Sequence, residues 1–135
     1  MLGKREPGVY GSLTLEQLYS ELEKLGQELS LTLEFFQSNH EGTLIDKIES
    51  SSNAESGGFL INPGAYGHTS IALRDALLAC GKPFVEVHIT NIYKRESFRH
   101  NSYLSDIASG VVIGFGLDSY RLGLRGLAQI VSGSS

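Results

Sequence analysis

A single cysteine, the absence of any long apolar run and a deficit of positive charge set the first limits on this chain. Cys80 is the one cysteine among 135 residues, so no disulfide closes within the chain. No stretch approaches the roughly 18 uninterrupted apolar residues that a membrane helix needs, which argues against a membrane role. Fifteen Asp and Glu against eleven Lys and Arg leave a formal net charge of -4. Nucleic-acid binding relies on clustered cations, so a nucleic-acid partner is not expected either. The start of the chain has neither a basic-then-apolar signal region nor a cleavage motif, and with the lone thiol this places the protein in a reducing cytoplasm. No repeat, linker or low-complexity segment interrupts the chain, and the length suits one domain over residues 1–135.

What is present is an alternation of two periods. Leu15, Leu18, Tyr19, Leu22, Leu25 and Leu29 recur at helical spacing, predicting a helix from Thr14 to about Gln27. Thr14 and Gln17 have the spacing of a capping box. Leu31 to Gln37 reads as a buried strand, followed by a second helix carrying Leu44, Ile45 and Ile48, then a polar loop from Glu49 to Gly58. Phe59 to Asn62 reads as a strand, Thr69 to Cys80 as a helix stopped by Gly81 and Pro83, and Phe84 to Ile89 as a strand. A polar connection from Thr90 to Ser109 leads to a strand over Val111 to Phe115 and a last helix over about Leu117 to Val131. Strands alternating with helices over short links predict a doubly wound α/β fold, a parallel sheet with helices on both faces. The pattern opens on a loop and helix with no strand before them, so an N-terminal strand is expected to be missing.

In such folds ligands sit beyond the carboxyl ends of the strands. Along Phe84 to Ile89 the alternation puts Glu86 and His88 on one face and Val85, Val87 and Ile89 on the other. A carboxylate there can fix the tautomer of the imidazole and raise its basicity, preparing it to pass a proton to a leaving group; the plainer alternative is a solvated strand end. Asn62 to Ser70 brings a second histidine, His68, near a strand end and a helix start. Arg5 precedes Tyr10 in a loop punctuated by Pro7, Gly8 and Gly11. A tyrosine ionises near pH 10 and needs a nearby cation to serve as a base near neutrality. His40, His68, His88 and His100 lack metal-ligand spacing. Gly114-Phe115-Gly116 is no dinucleotide fingerprint, because position 119 is Ser and no ribose-binding acid follows. A carrier of flavin mononucleotide would need a phosphate loop rich in Gly, Ser and Thr after a first strand, and none is present.

Taken in order, several segments resemble the type II 3-dehydroquinate dehydratases. They are Leu2 to Pro7 with Tyr10-Gly11, Phe36 to Gly42, Asn62 to Tyr66 with His68-Thr69-Ser70, and Ala72 to Ala76. The likeness continues through Glu86-Val87-His88, Asn91, Arg95-Glu96, Phe98-Arg99-His100 and Ser102-Tyr103, and so covers nearly the whole chain.

The resemblance implies a flavodoxin-like domain that dehydrates 3-dehydroquinate by anti elimination through an enolate, without metal or organic cofactor. Carried over by position, Tyr10 is the base, Arg5 lowers its pKa, His88 is the acid and Glu86 orients it. Asn62 and the backbone amides at Ile89 and Thr90 correspond to the cradle for the substrate carboxylate. His68 and Arg99 correspond to groups that hold ring hydroxyls, and Asp75 to a residue reaching a neighbouring subunit's site. The loop from Gly3 to Tyr10 corresponds to a lid, and homo-oligomers of trimers packed into dodecamers are expected. Gly67 stands where the family often has threonine, and Thr90 where it often has serine. The family also has a strand of about 5–6 residues and an asparagine-bearing loop before the position of Leu2. This implies a start placed too late or a trimmed N-terminus. The non-enzymatic alternative is an inactive truncated paralogue that acts through assembly with complete subunits.

Overall fold

Thr14 starts the first helix by a reciprocal exchange with Gln17. The Gln17 N–H donates to the Thr14 hydroxyl at 3.1 Å, and the Thr14 N–H donates to the Gln17 side chain at 2.8 Å, so two donors that the helix start leaves unpaired are satisfied together. The computed structural model describes residues 14–51, 57–64, 66–94 and 101–133. Helix α1 spans Leu15–Glu28 and buries Leu18, Leu22 and Leu25, one stripe at spacings of four and three. Gly26, in its last turn, is also buried; a Cβ there would come to 3.0 Å from Leu33.

The segment 31–37 corrects the sequence reading. Leu31, Leu33 and Phe35 are half-buried and Thr32, Glu34 and Phe36 exposed, which is strand alternation, yet the segment is not part of the sheet ladder. The Leu31 N–H donates to the Gly26 carbonyl at 2.7 Å, and side chains hold the segment further along. The Phe35 and Tyr19 rings stack at 4.2 Å, and Gln37 donates to the Tyr19 hydroxyl at 3.0 Å. Period-2 alternation reports which side of a chain meets the core and says nothing of whether a backbone partner lies alongside. Helix α2, Glu41–Ser51, takes in Glu49 to Ser51, which the sequence reading gave to a loop.

Three parallel strands make up the sheet among the described residues: β1, Phe59–Ile61; β2, Phe84–His88; and β3, Gly110–Ile113, in the order β1-β2-β3. Phe59 pairs with Phe84 and Ile61 with Glu86 on one side of β2, and Glu86 pairs with Val111 and His88 with Ile113 on the other. β1 and β3 are shorter than their predicted strands. Asn62 lies just past β1, and β3 stops where Gly114 takes a φ of +93°, a left-handed conformation that favours glycine.

The helix expected over Thr69 to Cys80 is two, a short α3 at Tyr66–Thr69 and α4 at Ile71–Cys80. Between them Ser70 is extended, and its hydroxyl accepts from the Leu73 N–H at 2.9 Å. The cap is therefore Ser70, and Thr69 belongs to α3. Gly81 closes α4 in a left-handed conformation, as expected, and α5 spans Asp118–Val131.

Two apolar clusters cover the sheet. One joins Leu18, Leu22 and Leu25 of α1 with Leu124 and Leu127 of α5 over Val85, Val87 and Ile89. The other joins Ile48 of α2, Leu73 and Leu77 of α4 and Leu104 over Phe84. α5 approaches closely at Gly123, where a Cβ would lie 2.7 Å from Leu60 and 2.9 Å from Val87. Since side chains alternate along a strand, Glu86 and His88 share the Phe84 face.

Candidate active site

The carboxyl end of β2 carries a buried charge. Glu86 is wholly buried (0% exposed) and His88 nearly so, which a carboxylate tolerates only with strong partners. It has three. His88 Nε2 lies 2.5 Å from Oε2, the Ser102 hydroxyl donates to Oε2 at 2.7 Å, and the Ser105 hydroxyl donates to Oε1 at 2.6 Å. Burial pushes the Glu86 carboxyl up, but the hydrogen bonds from His88, Ser105 and Ser102 outweigh it and hold the group below the ordinary carboxylate range. An ionised carboxylate only accepts, so His88 Nε2 must carry its proton and Nδ1 is left for proton transfer.

His68, half-buried on α3, faces His88 with ring centroids 6.1 Å apart. Its Nδ1 is 2.6 Å from the Asn101 carbonyl oxygen. That oxygen only accepts, so Nδ1 carries the proton and Nε2 remains for a ligand. Asn62 lies one step past Ile61, the residue paired with Glu86. Its amide is fixed at both ends, since Nδ2 donates to the Tyr120 hydroxyl at 2.9 Å and Oδ1 accepts from the Gly64 N–H at 3.1 Å. Ile89 and Thr90 follow directly. The turn after β3 ties this end of β2 in place, with Gly114 N–H donating to the His88 carbonyl at 2.9 Å and Gly116 N–H to that of Ile89 at 2.8 Å.

The structure thus brings Glu86, His88 and His68 into one cluster, with Asn62, Ile89 and Thr90 at neighbouring strand ends. Asp75 is exposed on α4 beside Arg74, outside the hydrogen-bonded network of Glu86. Arg5, Tyr10 and Arg99 lie outside the described residues. Among the described residues no group of three or more His, Cys, Asp or Glu side chains could hold a metal ion.

Sequence reasoning assigned no role to three partners: Ser102, matched only within the family-like segment Ser102-Tyr103, Ser105, within the polar connection, and Tyr120, within the last helix. A signal for the serines was available. They flank Leu104, an apolar residue inside a polar stretch, at a three-residue spacing that lets two hydroxyls face one way around a turn.

The family described as Dehydroquinase class II matches residues 1–128. A 3-dehydroquinate dehydratase of Prochlorococcus marinus is 58% identical over 129 residues, covering 96% of this chain and 88% of that protein. The crystal structure of a type II dehydroquinase from Butyrivibrio crossotus is similar with a TM-score of 0.87 and 39% identity, covering 93% of this chain and 88% of that one. That of a type II dehydroquinase from Propionibacterium acnes has a TM-score of 0.86 and 40% identity, covering 95% and 88%.

Proposed function

The chain belongs to the class II dehydroquinase family, and we propose how its residues divide the conversion of 3-dehydroquinate to 3-dehydroshikimate, a hydro-lyase step of the shikimate pathway. The substrate is a β-hydroxy ketone. Its α-proton is acidified by the carbonyl, while its hydroxyl is a poor leaving group, so the reaction needs one base, one acid and stabilisation of the enolate between them.

Tyr10 takes the proton beside the ketone, and the electron pair moves onto the carbonyl oxygen as an enolate. The enolate then reforms the ketone, the carbon–oxygen bond to the hydroxyl breaks, and His88 delivers a proton from Nδ1 so that water departs. Arg5 lowers the pKa of Tyr10; each tenfold gain in the phenolate at a given pH takes about 1.4 kcal/mol of favourable interaction. Asn62 with the backbone amides of Ile89 and Thr90 receives the substrate carboxylate, and His68 and Arg99 hold ring hydroxyls. Asp75 reaches the site of a neighbouring subunit in a trimer, four of which form a dodecamer. The protein works in the cytoplasm; among the described residues no helix is long and apolar enough to cross a membrane.

The observation that carries this division is the buried Glu86–His88 pair, an oriented imidazole with one nitrogen reserved for proton transfer. No observation favours the assembly-only alternative. The test is the ultraviolet absorbance of the conjugated enone when the purified chain meets 3-dehydroquinate. Turnover is expected, and Tyr10→Phe should lower kcat by about 10²–10⁴-fold with little change in KM. Wild-type turnover in Tyr10→Phe would refute the base assignment.

A further inference from the structure

Beside His88, two side chains from a single loop close over the carboxylate of Glu86. The Ser102 hydroxyl also accepts from the Leu104 N–H at 3.1 Å, which commits its own proton to Glu86. The loop that brings these hydroxyls is pinned at several points. Leu104 is wholly buried between the two serines, Tyr103 N–H donates to the Gly67 carbonyl at 2.7 Å, and Arg74 bridges the Tyr103 carbonyl and the Asp106 carboxylate. The same loop holds His68 through the Asn101 carbonyl.

We propose that Ser102 and Ser105 are positioning residues for the dehydration, a two-hydroxyl clasp that fixes the Glu86 carboxylate so that His88 is held in one tautomer and one orientation. The proposal rests on the reading of His88 as the acid. With both hydroxyls in place, each carboxylate oxygen is anchored from the loop, and Oε2 is the oxygen left in reach of His88 Nε2. Without them the buried carboxylate can rotate or pick up a proton. His88 then loses the acceptor that keeps Nδ1 reserved. The titratable groups facing His88 in the described residues are Glu86 on its own strand and His68 on α3; Arg74 and Asp106 pin the loop that carries the clasp.

Neither serine has to touch substrate for this, so the effect falls on kcat. Misplaced proton-transfer geometry costs about ten- to a hundredfold, as does loss of an outer partner that orients a histidine. The test compares Ser102→Ala, Ser105→Ala, the double variant and Ser105→Thr in the full chain. Two readouts are taken, the kinetics with 3-dehydroquinate and ¹⁵N–¹H spectra of the histidine rings. In the double variant kcat should fall about ten- to a hundredfold with KM nearly constant, and neutral His88 should change from the Nε2–H form to a mixture of tautomers. Ser105→Thr, which keeps the hydroxyl, should stay close to wild type. An unchanged kcat in the folded double variant, or unchanged His88 nitrogen signals, overturns the proposal. Should the double variant not fold, Ser105→Ala alone decides, because Ser105 is an exposed residue whose hydroxyl alone reaches inward. If the wild type does not turn over 3-dehydroquinate, the functional reading fails while the ring spectra still judge the clasp.

Discussion

The two faces of β2 are built from one five-residue strand and filled in opposite ways. On one face Val85 and Val87, with Ile89 beyond, join an apolar cluster with Leu18, Leu22 and Leu25 of α1 and Leu124 and Leu127 of α5. On the other, Phe84 begins in an apolar cluster, but two residues on Glu86 meets two serine hydroxyls and an imidazole, and His88 leads to the site. Because the side chains alternate, stability and chemistry are interleaved along the chain while being separated in space. A central strand buried on both faces can hold a charge only where a loop supplies its partners, and the 101–109 segment does so on one face alone. The division of labour is therefore set by what covers each face.

Substitutions can break this comparison if it is wrong. The largest effect is expected for His88→Ala, a loss of about 10²–10⁴-fold in kcat per folded molecule, with a lower Tm as well because the buried Glu86 carboxylate loses a partner; a lower Tm with little loss of turnover per folded molecule would assign His88 to packing. Val87→Ala should lower stability alone. Removing two buried methyl groups beside α5 costs about 2–3 kcal/mol of transfer and cavity free energy, read as a lower denaturant midpoint, while kcat per folded molecule stays at the wild-type value.

The smaller effect sharpens the contrast through pH. Glu86 has its folded pKa held below the ordinary value, so its ionisation stabilises the fold above the unfolded pKa of about 4.3. That contribution is lost as pH falls through the lower folded value. Wild-type stability should thus fall over this acid window, and Glu86→Gln, which has no carboxylate to protonate, should lose less there. Val87→Ala should keep the wild-type slope from a lower starting point. Equal slopes in all three, measured by urea unfolding between pH 5 and about 2, would detach Glu86 from the fold's acid sensitivity.

Much of this arrangement was legible in the residues. The capping box at Thr14, the Gly81 stop and the alternation along β2 rest on local stereochemistry, which neighbouring residues specify. Glu86 and His88 were placed on one face by period alone. Local spacing could pair Ser102 with Ser105, but which distant segment each side chain reaches was not legible. Ser102 and Ser105 reach Glu86 across sixteen and nineteen positions and Asn62 reaches Tyr120 across fifty-eight, and no periodicity encodes such pairings. The segment 31–37 failed for a related reason, since its alternation reports burial while ladder membership depends on a partner elsewhere in the chain. The roles given to Arg5, Tyr10 and Arg99 rest on family resemblance.

The central claim is that Glu86–His88 supplies the proton for the departing hydroxyl and takes no part in removing the α-proton. Incubating His88→Ala with 3-dehydroquinate in deuterium oxide tests it most directly, with deuterium at the carbon beside the ketone and enone formation followed together. Deuterium should enter the recovered substrate, since Tyr10 still makes the enolate, while enone forms at less than about one hundredth of the wild-type rate. Enone formation at the wild-type rate, or loss of exchange together with elimination, would contradict the account.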